Sequence, residues 1–405
     1  MKSLLHVGLG IVASMGGFVE VGSISTSAQA GAAFGFRLVW AGVLAACVLA
    51  FLIEMTGRLA AVSQHTFVAA VRERFGFAAH AGLLGLELLL DSLLLAAEIG
   101  GVSIALHLAT GIAFRWWVVP VAFGTWLLLW RGTFGTIEHG ISLCGLVTLA
   151  FVAGAVVLGA QPREVASGLV PTVPTDHLAN YGFQAVAILG ATVSPYLLNF
   201  YSSGAIEDGW KAKDLRSNRI VAWVGSAFGV VVSLGILVVA GLVLAPAGIR
   251  VESYEQAAPL LVPAFGGWGF GLFVASLAIG CFGAALEVTL NLGYLVAQTF
   301  GWNWGEDSAP QKNARFAAIY SVLLVPPVLL MLTGIDPLRL TLLTMALTVI
   351  VLPIVVFPLL VVMNDPHYLK EHVNGRLANW VVVAIVLAGA TMAVVVVPLE
   401  IAGGS

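Results

Sequence analysis

Charge is scarce in this chain. Only 10% of its 405 residues are Asp, Glu, Lys or Arg, against about 25% in an ordinary soluble domain, so most of it cannot build a water-facing surface of normal polarity. Cysteine is nearly absent as well. Cys47, Cys144 and Cys281 lie inside apolar runs and form no CxxC pair, which excludes a disulfide framework and offers no zinc spacing; they read as buried bystander thiols. Long polar stretches are missing too: the connections Gln161 to Asn180 and Asp208 to Asn218 are too short to hold a core of their own. No soluble domain is therefore expected. No nucleophile and base stand at a useful spacing, which argues against an enzyme, and no cofactor or nucleic-acid partner is implied. What remains is 60% hydrophobic with a mean hydropathy of +1.00, the composition of an integral membrane protein whose first partner is the lipid bilayer.

A spanning helix needs about 20 apolar residues, and that rule predicts eleven, near 4–34, 37–60, 80–109, 114–131, 137–159, 181–207, 219–246, 264–299, 315–333, 338–362 and 378–399. The first run is longer than the apolar core of a signal peptide and contains an acid, so it is expected to be a span and not a cleavable leader. The net charge of −3 says little; the placement of Lys and Arg says more. With the N-terminus in the cytoplasm, 13 of the 18 basic residues fall on the cytoplasmic side and 5 outside, which fixes the expected orientation and puts the C-terminus outside. A bacterial inner (plasma) membrane is the expected location. Trp116 and Trp117, beside Arg115, read as an interfacial anchor.

The informative stretch is Gly16-Gly-Phe-Val-Glu-Val-Gly-Ser-Ile-Ser25, which sets Glu20 in the middle of the first apolar run. A carboxylate at bilayer depth is expensive and normally faces a cavity or the protein interior, marking an ion or proton site. The flanking glycines predict a helix break whose freed carbonyls line a cavity. A second break is predicted at Ala191-Thr-Val-Ser-Pro-Tyr196, because Pro195 has no amide hydrogen and disfavours helix at Ser194. Two interrupted helices, heading two successive groups of five, are the sequence mark of an inverted-repeat transporter with its substrate where the breaks meet. The alternative is a pair of harmless kinks, since Gly and Pro are common in membrane helices. The expected repeats are 1–160 and 181–363, with 378–399 as an additional helix.

Three more intramembrane acids, Glu87, Asp91 and Glu98, fall at spacings of four and seven and so share one helix face. They form a candidate cation or proton path; a polar seam hydrogen-bonded between helices explains them equally well. Glu287 holds the corresponding place in the second repeat. Elsewhere, Glu54 with Arg58 four residues on predicts a local ion pair. Glu138, His139, Glu207 and Asp208 are expected near the interface and solvated, and His107 and Asn291, if buried, to be structural hydrogen-bonding groups.

The chain resembles the natural resistance-associated macrophage protein (Nramp) family of divalent-metal transporters. The run Thr26-Ser-Ala-Gln-Ala-Gly-Ala32 is similar to the stretch just after that family's first-helix motif, Asp-Pro-Gly-Asn, and the alignment sets Glu20, Val21, Gly22 and Ser23 on the four motif positions. Ser63-Gln-His-Thr-Phe67, Arg72-Glu-Arg-Phe-Gly76, Ala97-Glu-Ile-Gly-Gly101 and Leu352-Pro353 also match family positions in order, and Ala191 to Tyr196 sits on the pattern Ala-Thr-Val-Met-Pro-His. The resemblance implies an all-α membrane protein with a LeuT-like 5+5 inverted repeat, discontinuous helices 1 and 6, and alternating access. It implies a metal site at Glu20, Ser23, Ala191 and Ser194. Ser194 replaces the family methionine, leaving an oxygen set of one carboxylate, two hydroxyls and carbonyls near Val19 and Ala191, which suits magnesium or manganese. A branch of the family that lacks this methionine is associated with magnesium. Tyr196 stands for a histidine and Leu95 for an aspartate, so proton coupling is expected to be weak or absent; only Glu98 matches the family's third-helix glutamate. The alternatives are a sodium- or proton-coupled carrier of a small organic solute on the same fold and, third, a non-transporting sensor. Oligomeric state is not legible.

Overall fold

The computed structural model describes residues 20–131, 145–174, 177–305, 310 and 312–401. Gly16, Gly17, the Val19 carbonyl, Glu138, His139 and Cys144 lie outside these residues. Among the described residues all regular structure is helical. The chain runs through α1 (Val21–Phe34), α2 (Val39–Ser63), α3 (Phe67–Phe75), α4 (Phe77–Thr110), α5 (Arg115–Trp130), α6 (Leu149–Val157), α7 (Pro162–Ser167), α8 (Leu178–Thr192), α9 (Pro195–Glu207) and α10 (Leu215–Val243). It continues through α11 (Tyr254–Ala257), α12 (Val262–Phe265), α13 (Gly267–Phe300), α14 (Ala314–Leu323), α15 (Val325–Leu332), α16 (Pro337–Met363), α17 (Pro366–Leu369) and α18 (Arg376–Ile401).

Eight stretches of the described residues are long and apolar enough to cross a membrane, with α8–α9 and α14–α15 each counted as one. The other three of the eleven expected spans differ for separate reasons. Only the second half of the first is described, as α1, and the fifth is described from Leu146 to Val157. The fourth, α5, has 16 residues, about 24 Å of helix against a hydrocarbon core of about 30 Å. Its exposed Trp116 fits an interfacial anchor, whereas Trp117 turns inward and packs on the core.

Local chemistry explains where these helices start and stop. Val193 and Ser194 leave helical geometry, Ser194 at φ −85° and ψ 132°, and Pro195 opens α9 at its first position, where its missing amide costs nothing and its fixed φ suits a helix start. Glu20 is extended, at φ −107° and ψ 177°, and α1 begins at the next residue. Between α14 and α15 the chain keeps helical dihedrals, Leu324 at φ −71° and ψ −23°, and only the amides missing from Pro326 and Pro327 interrupt the hydrogen-bond ladder.

The two 34-residue helices α4 and α13 pack along one another more extensively than any other pair. Beside them, α1 lies against α8, α10 and α16. Close approach at the crossing depends on glycine: a Cβ on Gly190 would overlap the Met345 carbonyl of α16, and one on Gly22 would lie 2.7 Å from Met345 Sδ and 3.2 Å from the Ala191 Cβ. The start of α1, the end of α8 and the middle of α16 therefore meet at one point.

Candidate functional site

Glu20 sits at that point, 1% exposed. Its carboxylate accepts hydrogen bonds from the hydroxyls of Ser194 (Oε1, 3.4 Å) and Tyr196 (Oε2, 3.2 Å), so the helix break at Ser194–Pro195 delivers two donors to the acid at the start of α1. The Ser194 hydroxyl also lies 3.3 Å from the Gly190 carbonyl. The carbonyls of Ala191 and Thr192 belong to the last turn of α8, with no following turn to receive them. At the start of α1 the carbonyls of Val21 and Gly22 are instead taken by the hydroxyls of Ser25 and Thr26, at 2.7 and 2.8 Å. Ser23 lies one turn along α1 and, with Ala191, Thr192 and Ser226, lines a side cavity of about 20 Å³, room for a single water.

Glu98 approaches from α4. Both its oxygens accept from the Val21 amide, at 3.2 and 3.3 Å, and the Cys281 thiol bonds to it from α13. Glu287, also buried, is within electrostatic reach of Glu98 and Tyr196. The remaining two acids are placed elsewhere. Glu87 accepts from Asn199 Nδ2 at 3.2 Å and Asp91 from Asn291 Nδ2 at 2.8 Å, and both lie along α4 toward the end of the bundle that carries Arg72 and Arg74. The face shared by Glu87, Asp91 and Glu98 is therefore real, but it serves two clusters. On the opposite side of Glu20, Gln29 donates to the Val251 carbonyl at 2.7 Å and accepts from Gln184 at 2.9 Å, tying α1 to α8 and to the segment before α11.

Several of these neighbours carry little or no mark in the sequence. Asn199, four residues after Pro195, is the exception, a polar residue in an apolar helix. Cys281, expected to be a bystander thiol, touches Glu98. Met345 has no such signal, yet its sulfur stands against Gly22. Among the lesser acids, Glu54 pairs with Arg58 at 3.0 Å as expected. Glu207 departs from expectation: it is half-buried and accepts from Tyr294 at 2.8 Å, while Asp208 is exposed. His107 is half-buried, with Nδ1 2.8 Å from the Ile112 carbonyl, and Asn291 is fully buried and bonded to Asp91.

The profile of the natural resistance-associated macrophage protein-like family matches residues 10–398. The chain belongs to the Nramp family. Relatives include the divalent metal cation transporter MntH 1 of Pseudomonas aeruginosa, 27% identical over 93% of this chain and 87% of that protein. MntH of Deinococcus radiodurans is 26% identical over 96% and 88%. Among solved structures, the Eremococcus coleocola manganese transporter superposes with a TM-score of 0.79 at 20% identity, covering 98% of this chain and 87% of that one. Mhp1, a nucleobase-cation-symport-1 family transporter, superposes at 0.62 and 14% identity over 96% and 91%. These likenesses give this Nramp chain the LeuT-like transporter fold, with the start of α1 at Glu20 facing the break at Ser194.

Proposed function

We propose that this Nramp-family chain carries a divalent metal cation across the membrane by alternating access, with Glu20 as the principal charged ligand. The observation that supports this is a single one: a buried carboxylate where the start of α1 meets the break between α8 and α9, faced by the hydroxyls of Ser194 and Tyr196. A bare acid there would be costly to keep charged, and a cation offsets that cost. The proposed ligands are Glu20, Ser194, the Ala191 carbonyl and, by a small rotation of α1, Ser23. These oxygens suit manganese or magnesium. The nearby thioether of Met345 is a soft donor, and with the manganese and divalent-cation names of the relatives it favours manganese as the better substrate.

Proton coupling is proposed to be weak or absent, since Tyr196 stands where a histidine would titrate. Glu98, Glu287, Asp91 and Glu87 then serve as a negative lining for the cation. Import is proposed into the cytoplasm of a bacterial cell, with the Arg72 and Arg74 end inside. A small organic solute is not favoured, because the family matched and the relatives named divalent metal cation transporters point to a cation, and a buried carboxylate would repel an acidic solute. Proteoliposomes with a divalent-sensitive dye and a pH dye test the proposal. Manganese uptake without matching acidification, abolished in Glu20→Gln, is the expected result; uptake unchanged in Glu20→Gln overturns it.

A further inference from the structure

The second acidic cluster is built differently from the first. Glu87 and Asp91 on α4, Asn199 on α9 and Asn291 on α13 are between 0% and 2% exposed. Each amide spends its nitrogen on a carboxylate: Asn199 on Glu87 and Asn291 on Asp91. That leaves Asn199 Oδ1, Asn291 Oδ1 and Glu87 Oε1 buried with no hydrogen-bond partner among the described residues. Each orphan oxygen shares a planar amide or carboxylate with an atom already fixed in the cluster, so it cannot be far from it.

An orphan amide oxygen is not peculiar to this cluster, since Gln184 and Gln298 each leave one among the described residues. What sets the cluster apart is that its orphan oxygens stand with two buried carboxylates, neither of them ion-paired with a Lys or Arg of the described residues. Acceptors alone, plus two carboxylates, are what a dication requires. Asp91 and Glu87 precede Glu98 by seven and eleven residues on one continuous helix, about 10 and 16 Å along its axis, and Asp91 is still within electrostatic reach of Glu20, so the cluster begins beside the Glu20 crossing and runs away from it along α4. Beyond it the polar lining continues, with Gln298 Nε2 donating to Ser203 Oγ at 2.8 Å and His80 paired with Thr299 at 2.8 Å.

We infer a second divalent-cation site in which Glu87, Asp91, Asn199 and Asn291 provide the oxygen ligands, partway from the Glu20 crossing to the Arg72 and Arg74 end of the bundle. It rests on the proposed cation transport and adds a stopping place to it. Two carboxylates balance the charge of one dication, and carboxylate and amide oxygens suit manganese, magnesium or calcium. An ion leaving Glu20 would be received there before reaching the end of the bundle.

The test is manganese binding to the purified full-length protein in detergent, followed by the paramagnetic resonance of free manganese. Two ions per chain are expected in the unaltered protein, one in Glu20→Gln, and one in Glu87→Gln/Asp91→Asn. Asn199→Asp, which puts a carboxylate oxygen at an orphan position, is expected to tighten the second site about tenfold through its added ligand charge while leaving the Glu20 site unchanged. A single ion, lost in Glu20→Gln and retained in Glu87→Gln/Asp91→Asn, overturns the inference and leaves the proposed transport site standing. Binding that is indifferent to Glu20→Gln but reduced in Glu87→Gln/Asp91→Asn overturns the Glu20 site and supports this one. If the double variant fails to fold, Asn199→Asp decides: unchanged manganese affinity overturns the second site.

Discussion

Gly190 offers the sharpest test of how the crossing is held together. A Cβ at this position would overlap the backbone carbonyl oxygen of Met345, lie 2.7 Å from its carbonyl carbon and lie 3.1 Å from Val349 Cγ2, well inside the 3.5–4.0 Å at which carbon atoms are comfortable. Because the obstacle is backbone, no side-chain rotation relieves it, and α8 and α16 must separate. Overpacking of this kind costs about 3 kcal/mol, the upper end of its usual range. Replacing a mid-helix glycine by alanine returns about 0.5–1 kcal/mol. The net expectation for Gly190→Ala is a loss of about 2 kcal/mol. Gly204, in α9 of the same broken span, has nothing within 4 Å of its Cβ position, so Gly204→Ala should gain the propensity term alone. The two variants should thus differ by about 3 kcal/mol, measured as thermal unfolding of the purified protein, and only Gly190→Ala should lose manganese uptake, since it displaces Ala191 and Ser194 from Glu20. If Gly190→Ala unfolds and transports like Gly204→Ala, the close packing of α8 on α16 is not what positions the site.

Other expectations rest on single contacts. Met345→Leu keeps the bulk but removes the sulfur beside Gly22, so the ratio of manganese to magnesium uptake should fall; an unchanged ratio in competition assays places the thioether outside the site. Arg58 donates to Glu54 at 3.0 Å and to Asn374 Oδ1 at 2.7 Å, fastening α2 to the segment before α18. Arg58→Ala should lower stability by about 1–3 kcal/mol through the unpaired acceptors it leaves, and a melt within about 0.5 kcal/mol of the unaltered protein, the range of an ordinary surface change, would remove that fastening. Gln29→Ala breaks the links to Val251 and Gln184. It should speed labelling of a Ser27→Cys reporter by an impermeant thiol reagent, and an equal labelling rate would show that this end is closed by other contacts.

Much of the site is legible in the sequence because its chemistry is local. Pro195 cannot donate an amide, so the break at Ser194 comes from the residue itself, and Glu20 announces itself as an acid among apolar neighbours. The 3.6-residue repeat puts Glu87, Asp91 and Glu98 on one face, and that face exists. The partner that each acid finds is not legible. Asn199 reaches Glu87 across 112 residues of sequence and Asn291 reaches Asp91 across 200, and such pairings depend on helix register, which is set by the packing of whole faces. Met345 is invisible for a related reason: an apolar side chain in an apolar helix carries no mark of the crossing it fills. The fourth span, by contrast, is legible to within a residue at each end, 114–131 against Arg115–Trp130, because an unbroken apolar run marks its own limits.

The amide of Val21 gives Glu98 its bond from α1. In the motif this stretch resembles, that position is proline, which has no amide hydrogen to give. A hydrophobic substitution with no obvious polar meaning has thus added a hydrogen-bond donor to the protein interior and joined the first and third spans at mid-depth. A movement of α1 that carries Val21 away from α4 would break this bond, and Val21→Pro is expected to remove it without touching a charged residue.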